Sequence, residues 1–116
     1  MKPEGEQALL RMHLSNFARR HTGPLYEALV EKARREHLSG ATVLAGIFGF
    51  VGKGPVLGTH PHALAVERPV VVEIVDEEER LQNYLRLVEP MLAGHSVLVT
   101  LERAQVVHYR GRESKP

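Results

Sequence analysis

Ala41-Thr42-Val43-Leu44-Ala45-Gly46-Ile47-Phe48-Gly49-Phe50-Val51 is the stretch on which the fold turns. Val43, Ala45 and Ile47 fall on one side of an alternation, and Leu44, Phe48 and Phe50 on the other. The β-branched and aromatic content favours a strand over a helix. The glycines at 46 and 49 predict bends or close backbone approach. A strand that is apolar on both faces must be covered on both.

The flanking segments supply the rest of the pattern. After it, residues 52–68 hold three glycines and two prolines and have no period, which predicts a long loop over residues 51–68. Pro69 to Val75 reads as a strand, with Val70, Val72 and Ile74 opposite Val71, Glu73 and Val75. Asp76 is expected to cap a second helix, with Glu77, Glu78 and Glu79 in the first turn, where the helix dipole favours carboxylates. Leu81, Leu85, Val88 and Leu92 form its stripe, and Pro90 should kink or end it one turn before Gly94. Val97 to Leu101 alternates as a strand. The alternation slips at Glu102–Arg103 and resumes at Ala104, Val106 and Tyr109, which predicts a bulge or break and an extra C-terminal strand.

Before the central stretch, Gln7 to Leu14 alternates, with Ala8, Leu10, Met12 and Leu14 on one face. Ser15 to Thr22 is polar. Gly23-Pro24 opens a helix carrying Leu25, Ala28, Leu29 and Ala33 at helical spacing, and Gly40 is expected to end that segment near Ser39.

The order is therefore βαββαβ, the split βαβ pattern of ferredoxin-like α+β folds: a four-stranded antiparallel sheet with two helices on one face. No linker or repeat divides the chain, so residues 1–116 read as a single domain, structured over about residues 7–110. Two helices cover only one face of such a sheet. The second strand is apolar on both faces and the third nearly so. The uncovered face would be an apolar patch larger than monomers usually expose, and self-association is its simplest remedy.

Composition excludes several classes. Hydrophobic residues make up 43% and charged residues 25% of 116 positions, and the net charge is +1. No global field draws such a chain to nucleic acid or to an acidic membrane, and no RNA-binding signature appears. The absence of cysteine removes disulfides, thiolate nucleophiles and Cys-ligated metals. The N-terminal residues are polar, with no signal peptide to be read, and a cytoplasmic location is expected.

Few residues carry chemistry. Glu27, Glu31, Glu36 and Glu77 to Glu79 are helix-surface carboxylates, not a general acid–base pair in two distinct environments. Gly49-Phe50-Val51-Gly52-Lys53-Gly54 lacks phosphate-loop spacing, but glycine-freed N–H groups beside one lysine can cradle an anion. His60-Pro61-His62 is the most metal-like feature: two imidazoles could share a divalent ion if His13, His21, His95 or His108 joined them. His108-Tyr109-Arg110-Gly111-Arg112 is basic with one aromatic and could contact phosphates.

The run Gly40 to Phe50 resembles the second strand of PII signalling proteins, where Gly-x-Thr-Val leads to Gly-Phe and a long mobile loop. Val72-Glu73-Ile74-Val75-Asp76 is similar to the PII third strand, and Val97 to Glu113 to the PII end. Gly23-Pro24-Leu25-Tyr26-Glu27-Ala28-Leu29-Val30 followed by Gly40-Ala41-Thr42-Val43-Leu44 is closer to the PII-like family of domain of unknown function 190. The resemblance spans about residues 8 to 110. It implies a homotrimer, not an enzyme, with three inter-subunit clefts for a small anionic effector: AMP, ADP or ATP. The positions it carries over are Thr42 near the base of the cleft, Gly49 and Phe50 at the loop root with Lys53 as the nearest cation, the turn Gly94-His95-Ser96, and His108 and Arg110 toward the phosphates. It also implies a protein partner, such as a membrane transporter or channel, reached through the loop 51–68. Two departures stand out: His95-Ser96 in place of a glycine- and lysine-rich turn, and Val51-Gly52 where an arginine is usual. Two other readings use the same fold: a divalent-metal-binding trimer using His60 and His62, and a small ferredoxin-like enzyme.

Overall fold

The computed structural model describes residues 4–58 and 66–112. The elements are β1 (Gly5–Ser15), β2 (Arg19–Arg20), β3 (Gly23–Pro24), α1 (Leu25–Arg35), β4 (Thr42–Ala45), β5 (Pro69–Asp76), α2 (Glu78–Leu92) and β6 (Leu98–Val106). Four strands form one antiparallel sheet in the order β4-β5-β1-β6, and β2 pairs with β3 as a separate hairpin. The expected βαββαβ order and the ferredoxin-like α+β fold are both present; the hairpin is an addition within the polar segment.

Period two decides which side of each strand is buried. Leu10, Met12 and Leu14 of β1 and Val72 of β5 are fully enclosed, and Leu25 and Leu29 of α1 and Leu81 and Val88 of α2 close over them. Each such side chain contributes about 1.5–3 kcal/mol by leaving water. Tyr84 joins this core although the leucine stripe of α2 did not include it, because its hydroxyl donates to the Leu29 carbonyl at 2.7 Å and carries no unpaired polar atom inward.

The opposite face carries a different pattern. Paired residues of an antiparallel sheet share a face, so Leu44, Val71, His13 and Leu98 form one outer row and Thr42, Glu73, Arg11 and Thr100 the next. No described helix covers these rows. Leu44 and Leu98 are about half exposed, at 48% and 52%.

The element ends differ from the sequence reading at four places, each for a local reason. α1 ends at Arg35, not near Gly40. His37 adopts φ 60°, and its N–H and that of Leu38 bond back to the Arg34 and Ala33 carbonyls at 3.0 and 3.1 Å, which satisfies the last turn without glycine. Asp76 does not cap α2; Glu77 holds the N-cap position without a side-chain bond. Asp76 is buried instead, accepting from the backbone of Ser39 at 2.8 Å and Glu77 at 2.7 Å and from Arg80 at 3.2 Å, while Arg80 also donates to the His37 carbonyl at 2.7 Å. These bonds tie the end of α1 to the start of α2. Pro90 does not stop α2, which runs to Leu92. Finally, β6 has no break at Glu102–Arg103 and no further strand follows it among the described residues; its register with β1 is continuous from Leu98 to Val106. It is an edge strand held through its backbone, so its side chains need not alternate. Glu102 turns to the outer face, and Arg103, on the helix side, stays 86% exposed beside Glu6.

Candidate functional site

β4 is shorter than the apolar run that encodes it. After Ala45 one more bond forms, from the Gly46 N–H to the Pro69 carbonyl at 2.7 Å, and β5 then has no earlier residue to offer. The chain leaves the sheet, and Ile47, Phe48 and Phe50 stand exposed at 81%, 64% and 64%. Gly49 and Leu57 bridge each other, with N···O distances of 3.2 and 2.8 Å, so residues 51–57 form a pinned turn with Leu57 buried beneath it. Gly58 (φ 89°) is needed here, since a Cβ would run into the Ile47 carbonyl.

The far limb of the loop is clamped to the end of β1. Asn16 donates from its backbone to the Arg68 carbonyl at 3.0 Å and from its side chain to the Val66 carbonyl at 3.2 Å, and its side-chain oxygen accepts from the Arg68 N–H at 2.8 Å. Ser15 Oγ donates to Glu67 at 2.6 Å and accepts from the Phe17 N–H at 3.0 Å. The Ser15 hydroxyl is thus engaged on both sides, a brace and not a free nucleophile.

Between these limbs lies a cavity of about 280 Å³. Val51, Gly54 and Leu57 of the loop line one wall, Gly94, His95 and Ser96 another, and Ser15, Phe17 and Glu67 the floor. The turn singled out from sequence therefore meets the start of the loop. Phe17, Ser15 and Glu67 were missed; only the polarity of Ser15 to Thr22 hinted at a surface segment.

The other candidates lie elsewhere. Gly49 is taken up by the bridge, and Phe50 and Lys53 point to solvent. Thr42 is exposed on the outer face, opposite Glu73. His108 and Arg110 are exposed beyond β6, where Tyr109 holds the tail by donating to the Ser39 carbonyl at 3.3 Å and to Glu4 at 3.0 Å. The nine residues of β6 separate the two groups by about 26 Å at a strand rise of ~3.3 Å per residue. Within one chain, His95 and Arg110 cannot grip the same small molecule.

His60 and His62 lie outside the described residues. His13 is on the outer face of β1, His21 in the β2–β3 turn, His95 in the cavity wall and His108 beyond β6. Among the described residues no three His, Asp or Glu side chains are grouped to hold a metal.

An electrostatic cluster absent from the sequence reading sits on the outer face. Arg11 donates to Glu73 at 2.8 Å and to Glu102 at 2.6 Å, spanning β5, β1 and β6. The Glu73 hydrogen bond raises the Arg11 pKa above its ordinary value, against partial desolvation. Charged residues inside apolar strands were the available signal; only the register joins them.

The DUF190 profile, described as "Uncharacterized ACR", matches residues 7–106. A UPF0166 protein of Aquifex aeolicus is 36% identical over 104 residues, covering 89% of this chain and 95% of its own length. A UPF0166 protein of Methanocaldococcus jannaschii is 31% identical over 75 residues, covering 65% of this chain and 68% of its own. CPII, a nitrogen regulatory PII-like protein of Thiomonas intermedia K12 solved with ADP, AMP and bicarbonate, has a TM-score of 0.68 at 17% identity, with 89% of this chain and 90% of that one covered. A Thermus thermophilus protein described as PII-like has a TM-score of 0.64 at 17% identity, covering 89% and 91%. The chain belongs to the DUF190 family and has the PII-like form of the ferredoxin-like fold.

Proposed function

We propose that the chain is a PII-like regulatory protein and not an enzyme: a homotrimer that binds a small anionic effector, an adenine nucleotide, in the clefts between copies and signals through residues 51–68 to a protein partner. The observation that carries this reading is the shared cavity. Gly94-His95-Ser96 and the start of the loop line the same space, so a ligand there touches the loop directly. The exposed outer face, with Leu44 and Leu98 beside the Arg11 cluster, is the surface that copies would cover. The separation of His95 from Arg110 fits a site assembled from two subunits, one giving the turn and loop root, its neighbour Arg110 and His108. CPII, of similar fold, was solved with ADP and AMP. A transporter or channel is the partner class that PII kinship suggests.

Calorimetry with AMP, ADP and ATP tests the reading. Charge-assisted contacts to arginine are worth roughly 1.5–3 kcal/mol, so Arg110→Ala should weaken the best of these ligands by about one to two decades. Failure of all three to bind below millimolar would sink the nucleotide assignment.

A further inference from the structure

The β2–β3 hairpin carries two arginines side by side on its first strand. Arg19 pairs with Pro24 and Arg20 with Gly23, the Leu25 N–H bonds to the Ala18 carbonyl at 2.8 Å, and His21-Thr22 make the turn. The hairpin faces the end of α2 across an open groove of about 410 Å³, lined by Arg19, Arg20, His21 and His95 with Pro90 and Met91. Among the described residues no carboxylate lines this groove. Arg11, Arg80 and Arg103 each have a carboxylate within 4 Å; Arg19 and Arg20, like the remaining arginines, have none among the described residues, and these two share one groove with two histidines.

The groove gathers two guanidinium groups and two imidazoles. The C-terminus of α2 faces them with partial negative charge. That helix has no basic residue in its last turn, and its dipole places roughly half a negative charge there. This offsets only about a quarter of the two formal charges of Arg19 and Arg20. Arg20 also lines an adjoining groove with Glu27 and Glu31, which Lys32 and Arg35 balance there, so the hairpin groove stays positive. Its donors suit phosphate oxygens: arginine offers a planar fork and a neutral imidazole one N–H.

We propose that this groove binds the phosphate groups of a small phosphorylated molecule, with Arg19 and Arg20 as the charged contacts. His95 lines both the groove and the cavity beside Ser15 and Phe17, so the two spaces adjoin. In this respect the inference deepens the cleft reading and rests on it only for the identity of a nucleotide; anion capture by the groove stands without it.

Inorganic pyrophosphate, which carries no base, is the probe. Titration by calorimetry at low salt should give binding that Arg19→Ala/Arg20→Ala weakens at least tenfold, that Arg103→Ala, an exposed arginine outside both sites, leaves unchanged, and that falls with ionic strength as exposed charges are screened. Both arginines are exposed, and an unchanged melting temperature of the double variant confirms an intact fold. ADP weakened alongside pyrophosphate identifies the groove with the phosphate end of a nucleotide, while pyrophosphate weakened alone makes it an independent anion site. Absence of pyrophosphate binding up to millimolar, equal binding by the double variant, or an equal loss through Arg103→Ala would overturn the proposal. Failure of ADP with pyrophosphate binding intact counts against the nucleotide reading only.

Discussion

On one side of the sheet Leu10, Met12, Leu14 and Val72 are sealed at 0% exposure; on the other, Leu44 and Leu98, from the two edge strands, stand about half open at 48% and 52%. β5, between them, carries valines on both faces. What differs is the neighbour. α1 and α2 supply Leu25, Leu29, Leu81, Tyr84 and Val88 to the inner face, whereas the outer face has only its own Arg11–Glu73–Glu102 cluster. One face is thus closed within the chain, and the other is one that no described helix covers. The charged cluster is suited to such a place: its groups are paired before anything covers them, so a covering partner need not leave Arg11 unpaired.

The inner face should respond most strongly to damage. Leu10→Ala removes a fully enclosed side chain and should cost about 2–5 kcal/mol, read as a large drop in melting temperature. A loss well below that range would mean that this face is not the packed core. Arg80→Ala comes next. It leaves the buried Asp76 without its charged partner and frees the end of α1, for an expected loss of about 1.5–3 kcal/mol by denaturant titration.

The outer face should respond in assembly, not in folding. Leu44→Asp/Leu98→Asp should bring the mass in light scattering down from three times the 13.0 kDa of one chain to that single value, with the circular dichroism spectrum retained. The substitutions are on exposed positions, so each should change the stability of one chain by only about 0.5 kcal/mol. A wild-type mass of one chain would remove the comparison altogether.

The smallest effect sharpens the inner face. Tyr84→Phe deletes one buried hydrogen bond, for about 0.5–1.5 kcal/mol. Burial also raises the Tyr84 pKa above its ordinary value, so the folded state holds this proton more tightly than the unfolded chain. The Tyr84 contribution is complete below the unfolded value of about 10 and declines as pH rises beyond it. Thermal melts above pH 10 should therefore show a shallower loss for Tyr84→Phe than for the wild type. Identical slopes would place the phenol in contact with water.

Hydrophobic periodicity is local, and what it controls was legible. The alternation of Ala8, Leu10, Met12 and Leu14, the helical spacing of Leu25, Leu29 and Ala33, and the two apolar sides of residues 41–51 give the element types, their order and the existence of an uncovered face. The glycine turn at 94 was legible as a candidate too, and it does line the cavity. Contacts set by strand order were not. Arg11 meets Glu73 from 62 residues away and Glu102 from 91, and no local pattern selects those partners. Nor could sequence tell that β6 carries Gly94-His95-Ser96 and Arg110 to opposite ends of the sheet, that β4 stops at Ala45 because β5 starts at Pro69, or that Arg19 and Arg20 stand on a hairpin facing His95. Side-chain period sets which face a residue takes, whereas register and crossover set what it faces, and those are fixed only when the strands pair.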